Sequence, residues 1–325
     1  MSSNLNKKIK ILTDFKSKLE MFNLNINEIN KLNKKFPTIK IEFINLNKIK
    51  KKYDAEIYWG TRINDKILSK CPNLKWIHFG SVGVDKLSHK NLKNKKILIS
   101  NSPGINSESV FNLAIFFLID TTKKILNRKN LINRLKYEKN FSECKDLDNQ
   151  KIIVLGYGNI AKKLQKFSKL FNLNINFLSS RRLKMKNIIN KIKFISSLKN
   201  YDTIINLLKF NKKNKNFLSK DLFDKMKKDI NLILIGRLKT INIKDLYNFL
   251  RINKKATCYL DALPDKYNEI NFQKLRELNN VFITPHIGGY FKNYWINQIS
   301  IFENNLKLFV NGKKIKNIIY ELKNS

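Results

Sequence analysis

The sequence predicts an α/β protein built as two units, each a mostly parallel sheet covered by helices on both faces. Two observations carry this: short β-branched or aromatic runs alternate with helix-spaced stretches from end to end, and these runs fall into two series. The first series is Ile9–Leu12, Ile39–Ile44, Glu56–Trp59, Lys75–Phe79 and Ile97–Ile99. The second is Lys151–Leu155, Asn174–Leu178, Asp202–Leu208, Asn231–Ile235, Thr257–Leu260 and Val281–Thr284. Between them, stretches such as Ile160–Leu170 and Lys244–Leu250 carry the apolar spacing of a helix with one buried face. The apolar stretch Val110–Ile125 reads as a long helix joining the units, and Tyr290–Phe309 as a second one. An Asn311-Gly312 turn and a last strand-like run, Ile318–Leu322, follow. A tail that short must pack on something, and the economical place is the first unit. The expected division is therefore 1–100 plus 290–325 for one domain and 101–289 for the other, with a cleft between them.

The chain has 325 residues, enough for two cores of roughly 100–200 residues each. Hydrophobic residues make up 42%, which excludes a wholly disordered basic tail. The best apolar run, near Leu113–Ile119, is far short of the roughly 18 residues of a membrane span. The start, MSSNLNKKIK, has charge but no apolar core behind it, so no secretory leader and a cytoplasmic location are expected. Cys71, Cys144 and Cys258 are far apart and lack metal spacing, which suits a reducing compartment and no bound metal. Lys and Arg number 65 against 25 Asp and Glu, a net charge of +40. Lys far outnumbers Arg, and the charge is scattered rather than gathered on a stripe, so a nucleic-acid partner is not expected.

There are only ten glycines, so their grouping is informative. Gly156-Tyr157-Gly158-Asn159-Ile160-Ala161 follows the run KIIVL directly and opens a helix. A dinucleotide pyrophosphate needs that arrangement: a tight turn, close backbone approach, a small third residue and a helix N-terminus. The next strand ends in Ser179-Ser180-Arg181-Arg182, where NAD binders place an acid for the ribose 2′-hydroxyl. Small hydroxyls and two guanidinium groups suit a 2′-phosphate, so NADP(H) is favoured over NAD(H).

Of three histidines, His78 lies inside a strand-like run and His89 among lysines, and both read as structural or solvated. His286 sits in Thr284-Pro285-His286-Ile287-Gly288-Gly289, just past a strand. Arg237 follows NLILI, and Asp261 closes ATCYL. Strand C-termini of a doubly wound sheet face the ligand crevice, so three polar residues at three strand ends converge on one place.

The chain resembles the D-isomer-specific 2-hydroxyacid dehydrogenases, in the manner of the glyoxylate/hydroxypyruvate reductases. The resemblance runs through LKWIHFGSVGVDKL, SNSPGINSESV, VLGYGNIA, Gly236-Arg237, Leu260-Asp261, NVFITPHIGG and the late YFKNYWINQISIFENNLKLFVNGKKIKNII. It implies a Rossmann-type cofactor domain inserted into a smaller, flavodoxin-like substrate domain. It also implies an enzyme exchanging a hydride between a nicotinamide cofactor and a small 2-keto or D-2-hydroxy acid, and a homodimer formed through the cofactor domain near Phe111–Leu126. By resemblance His286 is the acid/base, Arg237 holds the substrate carboxylate, backbone amides at Val82 and Gly83 bind that carboxylate, and Asp261 contacts the nicotinamide end.

The departures from the family pattern bear on activity. The family pairs its His with a Glu about five residues beyond Asp261; here that position is Lys266, with Asp265 just before it and Glu269 three later. Asp265 is the candidate replacement. A carboxylate there stabilises and orients protonated imidazole, so its loss would weaken catalysis. Leu238 replaces a Gly and is expected to crowd a tight turn, while Asn112 and Lys209 replace a common acid and a common Pro. The alternative function is accordingly a catalytically impaired relative that holds the dinucleotide and acts as a redox sensor or binding protein.

Overall fold

The computed structural model describes residues 8–15, 23–45, 48–49, 51–60, 65–82, 97–126, 144–181, 183–264 and 269–320. Gly83, Arg182, Asp265 and Lys266 lie outside them. The chain divides into two compact units, Met1–Ile105 with Phe291–Ser325, and Asn106–Tyr290. The second is thus inserted in the chain of the first.

In the first unit, β1 (Ile9–Thr13), β2 (Ile39–Phe43), β3 (Ile57–Gly60), β4 (Trp76–Phe79) and β5 (Leu98–Asn101) alternate with α1 (Ile26–Lys35) and α2 (Asp65–Lys70). Together with the C-terminal strand Ile318–Tyr320 they form one sheet in the spatial order last strand, β5, β4, β3, β1, β2. The five early strands run parallel in the 2-1-3-4-5 order of flavodoxin-like sheets, and the last strand pairs antiparallel with β5 at the edge. The central strands β3 and β4 are buried at every position because both faces of the sheet are covered there, whereas edge strand β2 alternates. Leu12, Tyr58, Ile77 and Phe79 pack on one side with Ile67 and Leu68 of α2. Ile11, Ile57, Trp59 and Trp76 pack on the other, where the C-terminal helix contributes Phe302 and Leu306. The ring of Phe302 stacks on Trp59 with centroids 4.0 Å apart. Asn25 starts α1 by accepting from the N–H of Asn27 at 2.9 Å.

The second unit opens with α3 (Ser107–Lys123). It continues as β6 (Lys151–Leu155), α4 (Asn159–Leu170), β7 (Asn174–Leu178), β8 (Ile188–Ile189), α5 (Lys191–Ser197), β9 (Thr203–Asn206), α6 (Lys220–Phe223), β10 (Asn231–Leu234), α7 (Ile243–Ile252), β11 (Thr257–Leu260), α8 (Ile270–Arg276) and β12 (Val281–Ile283). The sheet order is β12-β11-β10-β9-β6-β7-β8, all parallel. Counted within the unit this is 3-2-1-4-5-6 with a seventh strand added, the doubly wound dinucleotide-binding order. The reversal of order falls between β6 and β9, which places the ligand crevice of such a sheet at their C-terminal ends. One face packs on Leu218, Leu246, Phe249 and Leu275, and the other on Ala114, Phe117 and Leu164 of α3 and α4.

Three elements differ from the sequence reading. The C-terminal helix, α9 (Tyr294–Val310), starts four residues later than Tyr290, after Asn293. The strand β8 has two residues and no pattern to announce it. The helix α3 starts at Ser107 and ends with Lys124 in a left-handed conformation (φ 51°), whose N–H bonds back to Asp120. The last strand, β13 (Ile318–Tyr320), follows a turn at Gly312 with φ 64°. Among the described residues no helix is long and apolar enough to cross a membrane.

Candidate active site

The strand β6 delivers the chain into a turn that only glycine adopts easily. Gly156 has φ 100° and donates its N–H to Leu178 O at 3.0 Å. Gly158 then caps α4 in extended conformation, and no side chain caps this helix, so its first amides are left for a ligand or solvent. Asn159 and Ile160 form the first turn, and Ala161 is fully buried against the sheet. At the end of β7, Ser179 Oγ accepts from the N–H of Arg181 at 3.1 Å, and the exposed Arg181 guanidinium donates to Tyr157 O in the glycine loop. Ser180 is exposed beside it. A small-residue loop, uncapped helix amides and a cation at its rim fit a dinucleotide phosphate chain.

Three further loops leave the C-terminal ends of β10, β11 and β12, which are neighbours in the sheet. Asp261 follows β11 directly and is 3% exposed. Its carboxylate accepts Thr284 Oγ1–H at 2.5 Å and the Ile287 N–H at 2.8 Å on one oxygen, and the Gly288 N–H at 2.8 Å on the other. Three donors on one buried carboxylate compensate its desolvation. A Cβ on Gly288 would stand 2.6 Å from Asp261 Oδ2, so this approach requires glycine.

Between those anchors sits His286, whose φ of 59° is uncommon for a residue other than glycine. Its Nδ1 lies 2.7 Å from the main-chain oxygen of Asp261. A carbonyl only accepts, so Nδ1 carries the hydrogen and Nε2 is the end able to exchange a proton. The structure thus brings Asp261 and His286 together, with Asp261 organising the histidine loop through both its carboxylate and its backbone. Thr284 completes this clamp; its sequence signal was only its place two residues before the histidine.

Arg237 is half-buried beyond β10. Its N–H donates to Leu208 O at 3.2 Å and its carbonyl accepts from Thr240 Oγ1 at 2.6 Å, which fixes the backbone that carries the guanidinium. The expected crowding at Leu238 does not occur. Leu238 begins a short 3-10 turn after an extended Arg237, its φ is not positive, and its side chain is buried in the core. Val82 is half-buried in the first unit, and its carbonyl accepts from Asn101 Nδ2 at 2.7 Å. Lys209 and Asn112 are exposed. Among the described residues no group of three or more His, Cys, Asp or Glu could hold a metal ion.

The family model of the "D-isomer specific 2-hydroxyacid dehydrogenase, NAD binding domain" matches residues 115–288, more than half of the chain. The chain belongs to this family. It is 25% identical over 248 residues to the D-3-phosphoglycerate dehydrogenase of Dictyostelium discoideum, covering 75% of this chain and 61% of that protein. The chain therefore spans less than two thirds of the length of that relative. Its fold matches D-lactate dehydrogenase from Aquifex aeolicus, complexed with NAD and lactic acid, at a TM-score of 0.77 and 21% identity, covering 97% of this chain and all of that one. It also matches an NADPH-dependent glyoxylate/hydroxypyruvate reductase from Sinorhizobium meliloti, in complex with NADP and malonate, at 0.76 and 15%, covering 98% and 99%.

Proposed function

We propose that this D-2-hydroxyacid dehydrogenase family member reduces a small 2-keto acid, such as glyoxylate or hydroxypyruvate, with NADP(H) in preference to NAD(H). The second unit is then the cofactor domain and the first, with its C-terminal helix and strand, the substrate domain. The observation that carries the reading is the Asp261 clamp, which holds His286 in a left-handed backbone with Nε2 as its proton-exchanging end.

A bound nicotinamide cofactor supplies the hydride. His286 Nε2 gives a proton to the carbonyl oxygen, and Nδ1–H on the Asp261 carbonyl keeps the ring in plane through the transfer. Arg237 neutralises the substrate carboxylate and polarises the carbonyl; by the family resemblance the amides at Val82 and Gly83 would also serve a substrate carboxylate. Ser179, Ser180, Arg181 and Arg182 support a 2′-phosphate, since none of the four is an acid that would repel one. Exposed Phe116 and Ile119 on α3, 52% and 50% accessible, support a homodimer through the cofactor unit.

The deciding experiment follows NADPH and NADH oxidation with glyoxylate, hydroxypyruvate and pyruvate. His286→Ala and Arg237→Ala should each abolish most turnover and leave cofactor affinity intact; unchanged turnover in both refutes the assignment. A second reading, a dinucleotide-binding protein without turnover, is favoured by one observation: among the described residues, the partner of His286 is a neutral carbonyl. Saturable cofactor binding with no turnover on the keto-acid panel would establish it.

A further inference from the structure

The strand β4 ends in a segment whose carbonyls are all taken. Phe79 O accepts from Ser102 Oγ at 3.0 Å, and Gly80 O from Tyr294 OH at 2.9 Å. Ser81 O accepts from the Ser102 N–H at 3.3 Å, and Val82 O from Asn101 Nδ2 at 2.7 Å. Gly80 O has a second donor in Gln298 Nε2 at 3.1 Å. The Gln298 amide has one acceptable orientation, because its other end faces Trp59 Nε1 at 3.0 Å and an indole N–H can only donate.

Behind these donors lies a chain of hydrogen bonds. Trp76 Nε1 donates to Ser100 Oγ at 2.9 Å, and the same Ser100 hydroxyl is hydrogen-bonded to His78 Nδ1 at 2.7 Å. His78 Nε2 lies 3.1 Å from Ser102 Oγ, and Ser102 donates its hydrogen to Phe79 O. Ser102 also receives Gln298 Nε2 at 3.0 Å. His78, Ser100, Ser102 and Gln298 are fully buried, so each broken link would strand a polar atom away from water.

A trans peptide sets each N–H opposite the preceding carbonyl. With the carbonyls of Gly80 and Ser81 held toward β5 and α9, the N–H groups of Ser81 and Val82 are turned to the other side. We infer that the buried relay His78–Ser102–Gln298, with Tyr294 and Asn101, positions the Val82 amide to receive the carboxylate of the substrate. This rests on the 2-keto-acid reading above and extends it. The relay residues touch no substrate; they are positioning residues, acting through the peptide planes of residues 79–82.

Tyr294→Phe and Asn101→Ala each delete one donor to the segment. Each should raise the KM for glyoxylate and the Kd for the keto-acid isostere oxamate by about fivefold or more, the effect of one lost hydrogen bond. The KM for NADPH should stay within about twofold in both, which general damage to the fold would not respect. A glyoxylate KM and an oxamate Kd unmoved in both folded variants would overturn the inference. The wild-type protein gives an independent test in the amide resonance of Val82, which should shift on titration with oxamate and not with NADP alone. If the wild type turns over no keto acid but the Val82 amide answers to oxamate, and does so more weakly in Tyr294→Phe and Asn101→Ala, the enzymatic reading fails and the positioning inference stands. A Val82 amide silent up to roughly 20 mM oxamate, well above the millimolar Kd of even a weak complex, overturns it.

Discussion

Acidification should unfold the first unit through His78, ahead of what carboxylate protonation alone would do. The imidazole is fully buried on β4, edge-on to Trp76 with ring centroids 5.7 Å apart, and bonded on both nitrogens to serine hydroxyls. Among the described residues no carboxylate bonds to it, and burial depresses its pKa from the ordinary 6.5 to about 3. The folded unit therefore keeps His78 neutral while the unfolded chain takes up a proton below pH 6.5, so stability is full above that value and falls as pH drops toward 3. Each pH unit in that window costs about 1.4 kcal/mol, so pH 5 costs roughly 2 kcal/mol and pH 3 about 5. The larger figure is an upper bound, because relaxation and water entry cap the cost of burying one charge. Guanidinium melts followed by the fluorescence of Trp59 and Trp76 would read this for wild type and His78→Gln at pH 7.5, 6.5, 5.5 and 5, as ordinary settings (about one unit apart or less). Gln keeps a donor and an acceptor but does not titrate, so it should start less stable and lose its disadvantage by roughly 2 kcal/mol on going to pH 5. A stability difference constant over that range would refute the reasoning, since it would mean that the folded unit protonates His78 as readily as the unfolded chain.

Asp202 gives a second, opposite-signed test: burial alone would raise its pKa, but the Lys151 N–H at 2.9 Å and Lys227 Nζ at 2.6 Å outweigh that and hold it below 3.8. Asp202→Asn should cost about 2 kcal/mol in neutral melts, a penalty present above the ordinary carboxylate value and lost as pH falls through the depressed one. Asp261→Ala removes the acceptor of three hydrogen bonds on the His286 loop and should lower kcat by about 100-fold or more in steady-state assays; a loss under about threefold would disprove its organising role. Arg181→Ala should lower kcat/KM for NADPH by about tenfold with little effect on NADH, and an equal loss with both would remove the 2′-phosphate argument.

The strands that carry the two sheets were legible because parallel strands buried on both faces read as unbroken apolar runs, as in KIIVL and NLILI. β8 was not, since two residues carry no period, and the start of α9 was missed because Tyr290 to Asn293 continue its polar-apolar texture without being helical. Of the site, the positions of Asp261, Arg237 and His286 at strand ends could be read directly. What could not be read is what Asp261 bonds to, because its donors lie 23 to 27 residues away on the next loop. The same holds for His78: its serines lie 22 and 24 residues on, in β5 and just past its end, and Gln298 comes from the far end of the chain. The crowding expected at Leu238 assumed a backbone that only glycine adopts; the 3-10 turn there asks for no such conformation.

The missing family glutamate separates two duties that one carboxylate ordinarily performs together. Orientation of the ring is met here by the Asp261 carbonyl, a main-chain acceptor that cannot rotate away and that fixes the Nδ1–H tautomer as firmly as a carboxylate would. Charge compensation is not met by that atom, since a carbonyl carries only a dipole. The Asp261 carboxylate is near in sequence terms but is already engaged by Thr284, Ile287 and Gly288. Its negative charge therefore acts on the loop backbone, holding His286 at a positive φ, more than on the ring. It follows that the ring's orientation depends on the loop that the Asp261 carboxylate holds as well as on the main chain at 261. An Asp261→Asn variant isolates this: the amide oxygen can still accept from one side of the loop, while its NH2 faces N–H donors on the other. Such a variant should lose the left-handed turn, and with it turnover, even though the ring's own acceptor is untouched.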